Sequence, residues 1–545
     1  MKARFTYFVL LLFFISINGL HAQSGLLGRP VVSFQPNGSP LFGKDIVIND
    51  QPNQDQRTVA LCSAFNGWLF SVYSYVNNTY NVPCFTIMKS IDNGISWTVF
   101  YDGLLPYQDC RFTSLDIVTI GDSVSNLKVF LAGVNKNGPW DDGEAAIYRF
   151  NGETGDFEER LLEELGVYDI AIATDYGYPA NNSYPSSLGV VYSKYSNNKD
   201  SVIFRSSSNG GMSLDNRKTV AISGNRFHKV SLTYGRSSTF SNGNYYAAWE
   251  EHADYGSIPG HIYTAHTNPN FNSPFTTPIN LDSLNAVNIN MCKNPTIACQ
   301  NNNIDNDSAN LSEIVLFDKY NQSNQSYDIK GYYNLQAANH TRFQNLTFSN
   351  SLHNNMQSDI KFNPYNSTFM LTYFDSTEKK LPFLTNDVNL TNPNSWNVIS
   401  QSYNDNSNLI SPNPKVKINF EKQDGMNIWI SEGTSGNGIA MFDAPYSTWT
   451  GVQGDRTNYG TRLISAYPNP CNTNTTIRFE LQKADIVNIS ICNLVGQPVR
   501  TLTEQFYPSG NHELKCNISN LSPGSYIVKL LAGDFQSTGK LMVIR

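Results

Sequence analysis

Ser90-Ile91-Asp92-Asn93-Gly94-Ile95-Ser96-Trp97 is the stretch that decides the fold. Asp92 and Asn93 suit a turn, because their short polar side chains can bond nearby backbone N–H groups. Gly94 can take a positive φ without steric cost, which leaves Trp97 placed to fold beneath the turn as an apolar plug. A second copy reads Ser207-Ser208-Asn209-Gly210-Gly211-Met212-Ser213-Leu214, with Asn for Asp and Leu for Trp. Each copy follows a short run of alternating residues, Phe85-Thr-Ile-Met88 or Val202-Ile-Phe-Arg205. Two tight polar turns in the same local setting point to a repeated hairpin.

Working outward, seven apolar strand-like segments recur, beginning at residues 69, 129, 188, 245, 313, 369 and 427, at intervals of 56 to 68 residues. Examples are Leu69-Phe-Ser-Val-Tyr-Ser-Tyr75, Tyr245-Tyr-Ala-Ala-Trp-Glu-Glu251 and Asn427-Ile-Trp-Ile-Ser-Glu432. An alternating strand precedes each and another follows, often with a fourth such as Ser96-Trp-Thr-Val99 or Ser395-Trp-Asn-Val398. Three or four short antiparallel strands per repeat make one blade of a β-propeller. The even spacing favours this over a pair of β-sandwiches, and seven repeats favour seven blades over six or eight. A propeller must close its ring to remove the open sheet edges. The last repeat lacks a clear fourth strand, while Asp45-Ile-Val-Ile-Asn49 is a strand ahead of the first repeat. It is expected to pair with the last blade, near Asn427–Ser431.

The turn resembles an Asp-box, carried here by Ser90, Asp92, Gly94 and Trp97 and in weaker form by Ser207, Asn209 and Gly211. The family places this box, a BNR repeat, in a hairpin of sialidase-like propeller blades. The resemblance implies a structural role for these residues and names no ligand.

Composition sets further bounds. A chain of 545 residues is too long for one core. Charged residues are only 15%, the net charge is −7, and no Lys/Arg run occurs, so nucleic acid is not an expected partner. Residues 1–22 read as a secretory signal peptide: Lys2 and Arg4 precede the apolar run Phe8–Ile17, and Leu20-His21-Ala22 is an imperfect cleavage site. No second long apolar stretch follows, so no transmembrane segment is expected after cleavage. Of eight cysteines, five precede residue 450 and three follow it, which is no tidy disulfide framework. Cys84/Cys110 and Cys292/Cys299 are pairing candidates, with small buried thiols as the alternative.

Residues 23–449 are therefore read as the propeller and residues 450–462, rich in Gly, Thr, Asn and Asp, as a linker. Short strands from residue 463 to 545 suit a small immunoglobulin-like β-sandwich. This tail also resembles the type A C-terminal sorting domain of the type IX secretion system of Bacteroidota. The matching residues are Tyr467-Pro468-Asn469-Pro470, Gly496 within Leu494-Val-Gly-Gln497, Gly524 and Tyr526 within Leu521-Ser-Pro-Gly-Ser-Tyr526, and Lys540 at the start of the closing strand. The resemblance implies export through the periplasm by that machinery, to the outer-membrane surface or the medium.

In a propeller, loops from successive blades converge around the central channel, so many blades can each supply a binding group. The connections after two apolar segments stand out. One carries Trp140, Asp141, Asp142 and Glu144, the other Glu250, Glu251, His252, Asp254 and Tyr255. Aromatic rings stack on sugar faces, while carboxylates bond hydroxyls or act as general acid and base. Both stretches are expected on one face of the propeller, with the two box-like turns on the other. The propeller family includes sialidases, which need an arginine cluster for the substrate carboxylate. Arg57, Arg111 and Arg226 precede the first strands of three repeats. The family's Arg-Ile-Pro signature is missing, and Gly28-Arg29-Pro30 sits ahead of the first blade. The sequence thus reads as an exported propeller that binds an extracellular glycan or protein without catalysis. A sialidase-like glycoside hydrolase is the alternative, and a non-catalytic surface scaffold a further one. No cofactor is expected. Asp305-Asn306-Asp307 and Asp141-Asp142 offer oxygen ligands for calcium but lack the Gly and distal Glu of a full calcium loop.

Overall fold

The computed structural model describes most of residues 45–544. Segments outside the description include 105–110, 137–142, 176–186, 253–259, 302–310 and 445–461. The signal-peptide reading of residues 1–22 therefore falls outside it.

The chain is a seven-bladed β-propeller followed by a β-sandwich. The innermost strands of blades 1, 2, 4, 5, 6 and 7 are Val59–Ser63, Arg111–Ile120, Arg226–Gly235, Cys292–Cys299, Asn355–Asn363 and Lys415–Asn419. Blade 3 takes its inner strand from the second half of Phe157–Thr174, whose first half is the outer strand of blade 2. Between the halves, Gly166 adopts φ +76°, and the two blades form one continuous seven-stranded sheet. Each inner strand packs against the next, and the last packs against the first, so the ring closes.

The recurring apolar segments are the second strands, and their sequence reflects where they lie. A second strand is covered on both faces by neighbouring blades, so it reads as a near-continuous apolar run. Seven buried apolar clusters occupy the seven seams between blades. Phe70 and Val72 face blade 2, whereas Leu69 and Tyr73 face blade 7. An eighth cluster, built around Ile477, Phe479, Ile489 and Val528, fills the C-terminal sandwich. Its two sheets are Arg462–Tyr467, Asn474–Leu481 and Gly510–Asn517, and Pro498–Tyr507, Asp485–Cys492, Gly524–Ala532 and Phe535–Val543.

Closure comes from Ile46–Val47, which pairs with Gly438–Asp443 of blade 7 in the register Ile46↔Phe442 and Val47↔Met441. This is one strand further out than the sequence reading placed it. The strand holding Asn427–Ser431 already has a partner on each side, so Gly438–Asp443 offers the open edge. Around the latch, Gln56 Oε1 accepts the Ala440 N–H at 2.6 Å and Asp55 Oδ1 that of Gly438 at 2.8 Å.

In the first box-like turn, Ser90 Oγ accepts the Gly94 N–H at 2.8 Å and Asp92 Oδ1 accepts that of Ser96 at 2.9 Å. Trp97 is buried, donates its indole N–H to Gly94 O at 3.0 Å, and meets Phe442 of blade 7 edge-on. Gly94 sits at φ +90°, and a Cβ there would lie 2.1 Å from the Phe442 ring. The second turn repeats the arrangement: Ser207 Oγ accepts the Gly211 N–H at 3.0 Å, and Gly211 abuts Phe130 of blade 2.

Cys292 and Cys299 do not pair. They stand at opposite ends of one strand, roughly 20 Å apart at ~3.3 Å per residue, whereas a disulfide needs Cα atoms within about 7 Å. Cys84 is buried in the seam between blades 7 and 1, and Cys110 lies outside the described residues. Among the described residues, no helix is long and apolar enough to cross a membrane.

Candidate functional site

Every inner strand runs the same way through the ring, so the propeller has one face where these strands begin and another where they end. Second strands run back and finish at the first of these, here called the upper face. Glu250, Glu251 and His252 close a second strand and therefore lie there. The same antiparallel alternation puts both box-like turns on the lower face.

At the upper mouth, the inner strands of blades 4, 5 and 6 are bulged, between Phe227 and Val230, Lys293 and Thr296, and Met356 and Asp359. A bulge removes ladder partners and leaves backbone N–H groups pointing sideways. Asn294 and Gln357 take left-handed conformations there, with φ of 53° and 56°. A carboxylate from the preceding blade receives each exposed N–H. Asp169 Oδ2 takes Val230 N–H at 2.9 Å, Glu250 Oε2 takes Asn294 N–H at 2.6 Å, and Asp318 Oδ1 takes Gln357 N–H at 2.9 Å. Glu250 and Asp318 occupy equivalent places, each the sixth residue of its apolar segment. Their remaining oxygens are also engaged. Glu250 Oε1 lies 3.3 Å from His252 Nε2, and Asp318 Oδ2 accepts from Asn294 Nδ2 at 2.7 Å.

The chain of contacts continues around the mouth. The His252 ring is perpendicular to that of His228 at 4.9 Å, His228 lies 5.7 Å from Tyr168, and Lys136 Nζ sits over Tyr168. Burial lowers the His228 pKa to about 4, so its imidazole is neutral at pH 7. Burial alone would raise that of Glu250, but His252 and the Asn294 N–H outweigh it and hold the carboxylate below its ordinary range. Burial pushes Asp318 up to about 6 in spite of its two donors. Lys229 is held above its ordinary value, foremost by Asp169, whose Oδ1 lies 3.3 Å away.

Asp169, Glu250 and Asp318 thus act as staples between blades, and other carboxylates at this face also hold donors. Glu251 is buried and accepts from Asn225 Nδ2 at 2.9 Å and from Ser223 Oγ. Glu144 pairs with Arg160. The arginines are likewise committed. Arg57 pairs with Asp55 at 2.8 Å beside the seam between blades 7 and 1. Arg226 pairs with buried Asp200 at 3.0 Å on the third strand of blade 3 and lies over Tyr195. The structure gives Arg57 and Arg226 separate carboxylate partners at different seams, and Arg111 begins the inner strand of blade 2. Trp140, Asp141, Asp142, Asp254 and Tyr255 lie outside the described residues, as do Asp305 and Asp307. Among the described residues, no group of three or more His, Cys, Asp or Glu is arranged to hold a metal ion.

Sequence reasoning missed Asp169, His228, Lys229, Asn294, Asp318 and Gln357. One signal was present: an acid ends the otherwise apolar run Ile314-Val-Leu-Phe-Asp318, at the place Glu250 holds in its own repeat.

Three cation–aromatic pairs line the same face: Lys136 over Tyr168, Arg226 over Tyr195 at 4.7 Å, and Lys293 over Tyr327 at 3.9 Å. Tyr168 is buried, while Tyr195 and Tyr327 are partly open to solvent.

Residues 465–544 match the family described as the secretion system C-terminal sorting domain. This tail addresses the protein to the type IX secretion machinery, and so to the cell surface or the extracellular space. No curated protein matches the sequence significantly. Several solved structures are similar in shape. One is the α-L-arabinofuranosidase of Fusarium graminearum, with 10% identity and a TM-score of 0.42 over 74% of this chain and 97% of that one. Another is the α-L-arabinanase of Penicillium chrysogenum, with 11% identity and a TM-score of 0.39 over 74% and 98%. A polysaccharide lyase, Uly1, gives 9% identity and a TM-score of 0.44 over 73% and 90%. Likeness at these levels concerns the fold and carries no argument about ligand or chemistry.

Proposed function

We propose that the protein is an exported, Asp-box type propeller that binds an extracellular glycan or protein on its upper face and performs no catalysis. The observation that carries this reading is the commitment of the mouth carboxylates. Asp169, Glu250 and Asp318 each hold a backbone N–H of the next blade. Most glycoside hydrolases need two carboxyl groups free to face the scissile bond, one of them able to deliver a proton, and a sialidase with a tyrosine nucleophile still needs a free acid. Charged and aromatic groups on the same face instead suit recognition: a tyrosine offers a flat surface at low entropic cost, and a neighbouring cation fixes its orientation. The separate partners of Arg57 and Arg226 also weigh against the sialidase-like alternative. The hydrogen bonds of the two box-like turns support the Asp-box reading.

A glycan array probed with wild type and with Tyr195→Ala and Tyr327→Ala tests the binding reading. Weaker capture by both variants, with no release of sugar from the bound glycan, is expected. Capture unchanged in both would place the site elsewhere, for instance at Trp140 or Tyr255. Release of product would reinstate the hydrolase. Export has its own test, with residues 1–22 read as the signal peptide. Deleting residues 463–545 is expected to leave a folded propeller in the periplasm, and normal arrival of the truncated chain in the medium would contradict that.

A further inference from the structure

Towards the lower face the channel holds a cavity of about 160 Å3, walled by the C-terminal halves of all seven inner strands. This is room for on the order of ten water molecules, at 10–15 Å3 each on the same measure. Its cationic lining comes from Lys361 of blade 6 and Lys417 of blade 7, with Thr174 and Thr233 adding hydroxyls from blades 3 and 4. Each lysine has a carboxylate nearby, but that carboxylate has other work. Asp116 accepts the N–H groups of Ile117 at 3.0 Å and Ile172 at 3.1 Å, with Lys417 Nζ at 3.6 Å. Asp359 accepts Val416 N–H at 2.9 Å and Thr296 Oγ1 at 3.1 Å. Lys415, at the start of the blade 7 inner strand and outside the cavity lining, adds positive charge that acts on Asp359 and Lys361. Asp116 thus pairs with Lys417, while Lys361 forms no ion pair among the described residues, in a partly enclosed space where counter-charge from bulk solvent is less effective. Burial lowers the pKa of Lys361, the sign of a cation without enough compensation, whereas at Lys417 the carboxylates of Asp116 and Asp359 outweigh burial and raise it.

We propose that this lower cavity is a binding site for a small oxyanion, a sulfate, phosphate or carboxylate, held between the Lys361 and Lys417 ammonium groups. The anion would give Lys361 the ion-pair partner it lacks and accept from the threonine hydroxyls. It is a site apart from the upper face, at the other end of the channel, and stands whether or not that face binds a glycan. The same chemistry is found in a free ion and in the anionic group of an acidic sugar, and the size of the cavity admits either.

The test is thermal unfolding of the full mature chain in sodium sulfate, sodium phosphate or sodium acetate, against sodium chloride at equal ionic strength. Glucuronate and a sulfated monosaccharide form a second arm. Wild type is expected to gain about 2–4 °C in Tm at concentrations well above the dissociation constant, with at least one oxyanion. Lys361→Gln is expected to lose the gain and Lys361→Arg to keep it. A larger gain with the sugar acids than with the free ions identifies the sugar as the source, and the reverse identifies the free ion. An equal gain in Lys361→Gln and wild type, or none in wild type with any of these probes, overturns the proposal. Either result leaves the upper-face reading untouched, because Lys361 lies outside it.

Discussion

Where the inner strands begin, carboxylates are numerous, and Asp169, Glu250 and Asp318 are each answered by a donor from the next blade. Where the strands end, Lys361 and Lys417 line the cavity, and Lys361 forms no ion pair among the described residues. The two ends are built from the same seven strands, so the difference lies in backbone geometry. Bulges at the upper end free N–H groups that must be satisfied, and buried acids are the efficient acceptors. The lower halves keep a regular ladder; Asp116 still receives the Ile172 N–H of the next blade there, while Lys361 faces the channel without an ion pair. An acid near a propeller channel is therefore no sign of catalysis until its oxygens have been accounted for. A lysine in the channel with a shared counter-ion is the more informative group.

This contrast predicts opposite responses to removing charge at the two ends. The largest effect is expected for Glu250→Ala, which strands the Asn294 N–H and the His252 ring at the seam between blades 4 and 5. Denaturant unfolding should show a loss of about 2–3 kcal/mol, the cost of an unsatisfied buried partner of a charged group. A loss under 0.5 kcal/mol would deny the staple role.

A second response is read in pH. His228, with a pKa of about 4 when folded against an ordinary 6.5, binds its proton only in the unfolded chain between those values. Its contribution is present above pH 6.5 and is lost as pH falls towards 4. Asp318, with a pKa of about 6 against an ordinary 3.8, has the opposite slope, because the folded state holds the proton in that window. The two offset each other in the wild type. Asp318→Asn should therefore expose a steeper loss of stability between pH 6.5 and 4 than the wild type shows, measured by Tm across pH. A parallel pair of curves would contradict this account.

The smallest effect is expected at the lower end. Lys361→Met removes a poorly compensated, half-buried cation and should leave stability unchanged or raise it by up to about 1 kcal/mol in chloride buffer. A loss above 1 kcal/mol would mean that Lys361 is as well paired as the upper acids.

The fold was legible because a propeller writes itself into sequence twice, as an interval and as strands apolar on both faces. Leu69–Tyr75 and its six counterparts carried both signals. The closing strand was legible as an orphan, though not its partner, because Asn427–Ser431 and Gly438–Asp443 look alike until the sheet order is known. The strand shared by blades 2 and 3 was hidden. Phe157–Thr174 passes from polar to apolar at Gly166, which reads as two elements. The site was less legible still. Glu250, Glu251 and His252 were picked as ligand groups from their types, but whether an acid faces a ligand or a neighbouring backbone depends on bulges that local sequence does not announce. Asp169 and Lys229 lie 60 residues apart, and their pairing follows only from blades packing side by side.

The central claim is that the upper face, and not the lower cavity, holds the extracellular ligand. Titration calorimetry with a ligand found on the array tests it most directly, comparing wild type, the Tyr195→Ala/Tyr327→Ala double variant and Lys361→Gln. The account predicts a loss of roughly tenfold or more in affinity for the double variant, about the 1–2 kcal/mol of lost aromatic anchors, and wild-type affinity for Lys361→Gln. Wild-type affinity in the double variant, with binding lost in Lys361→Gln, would contradict it.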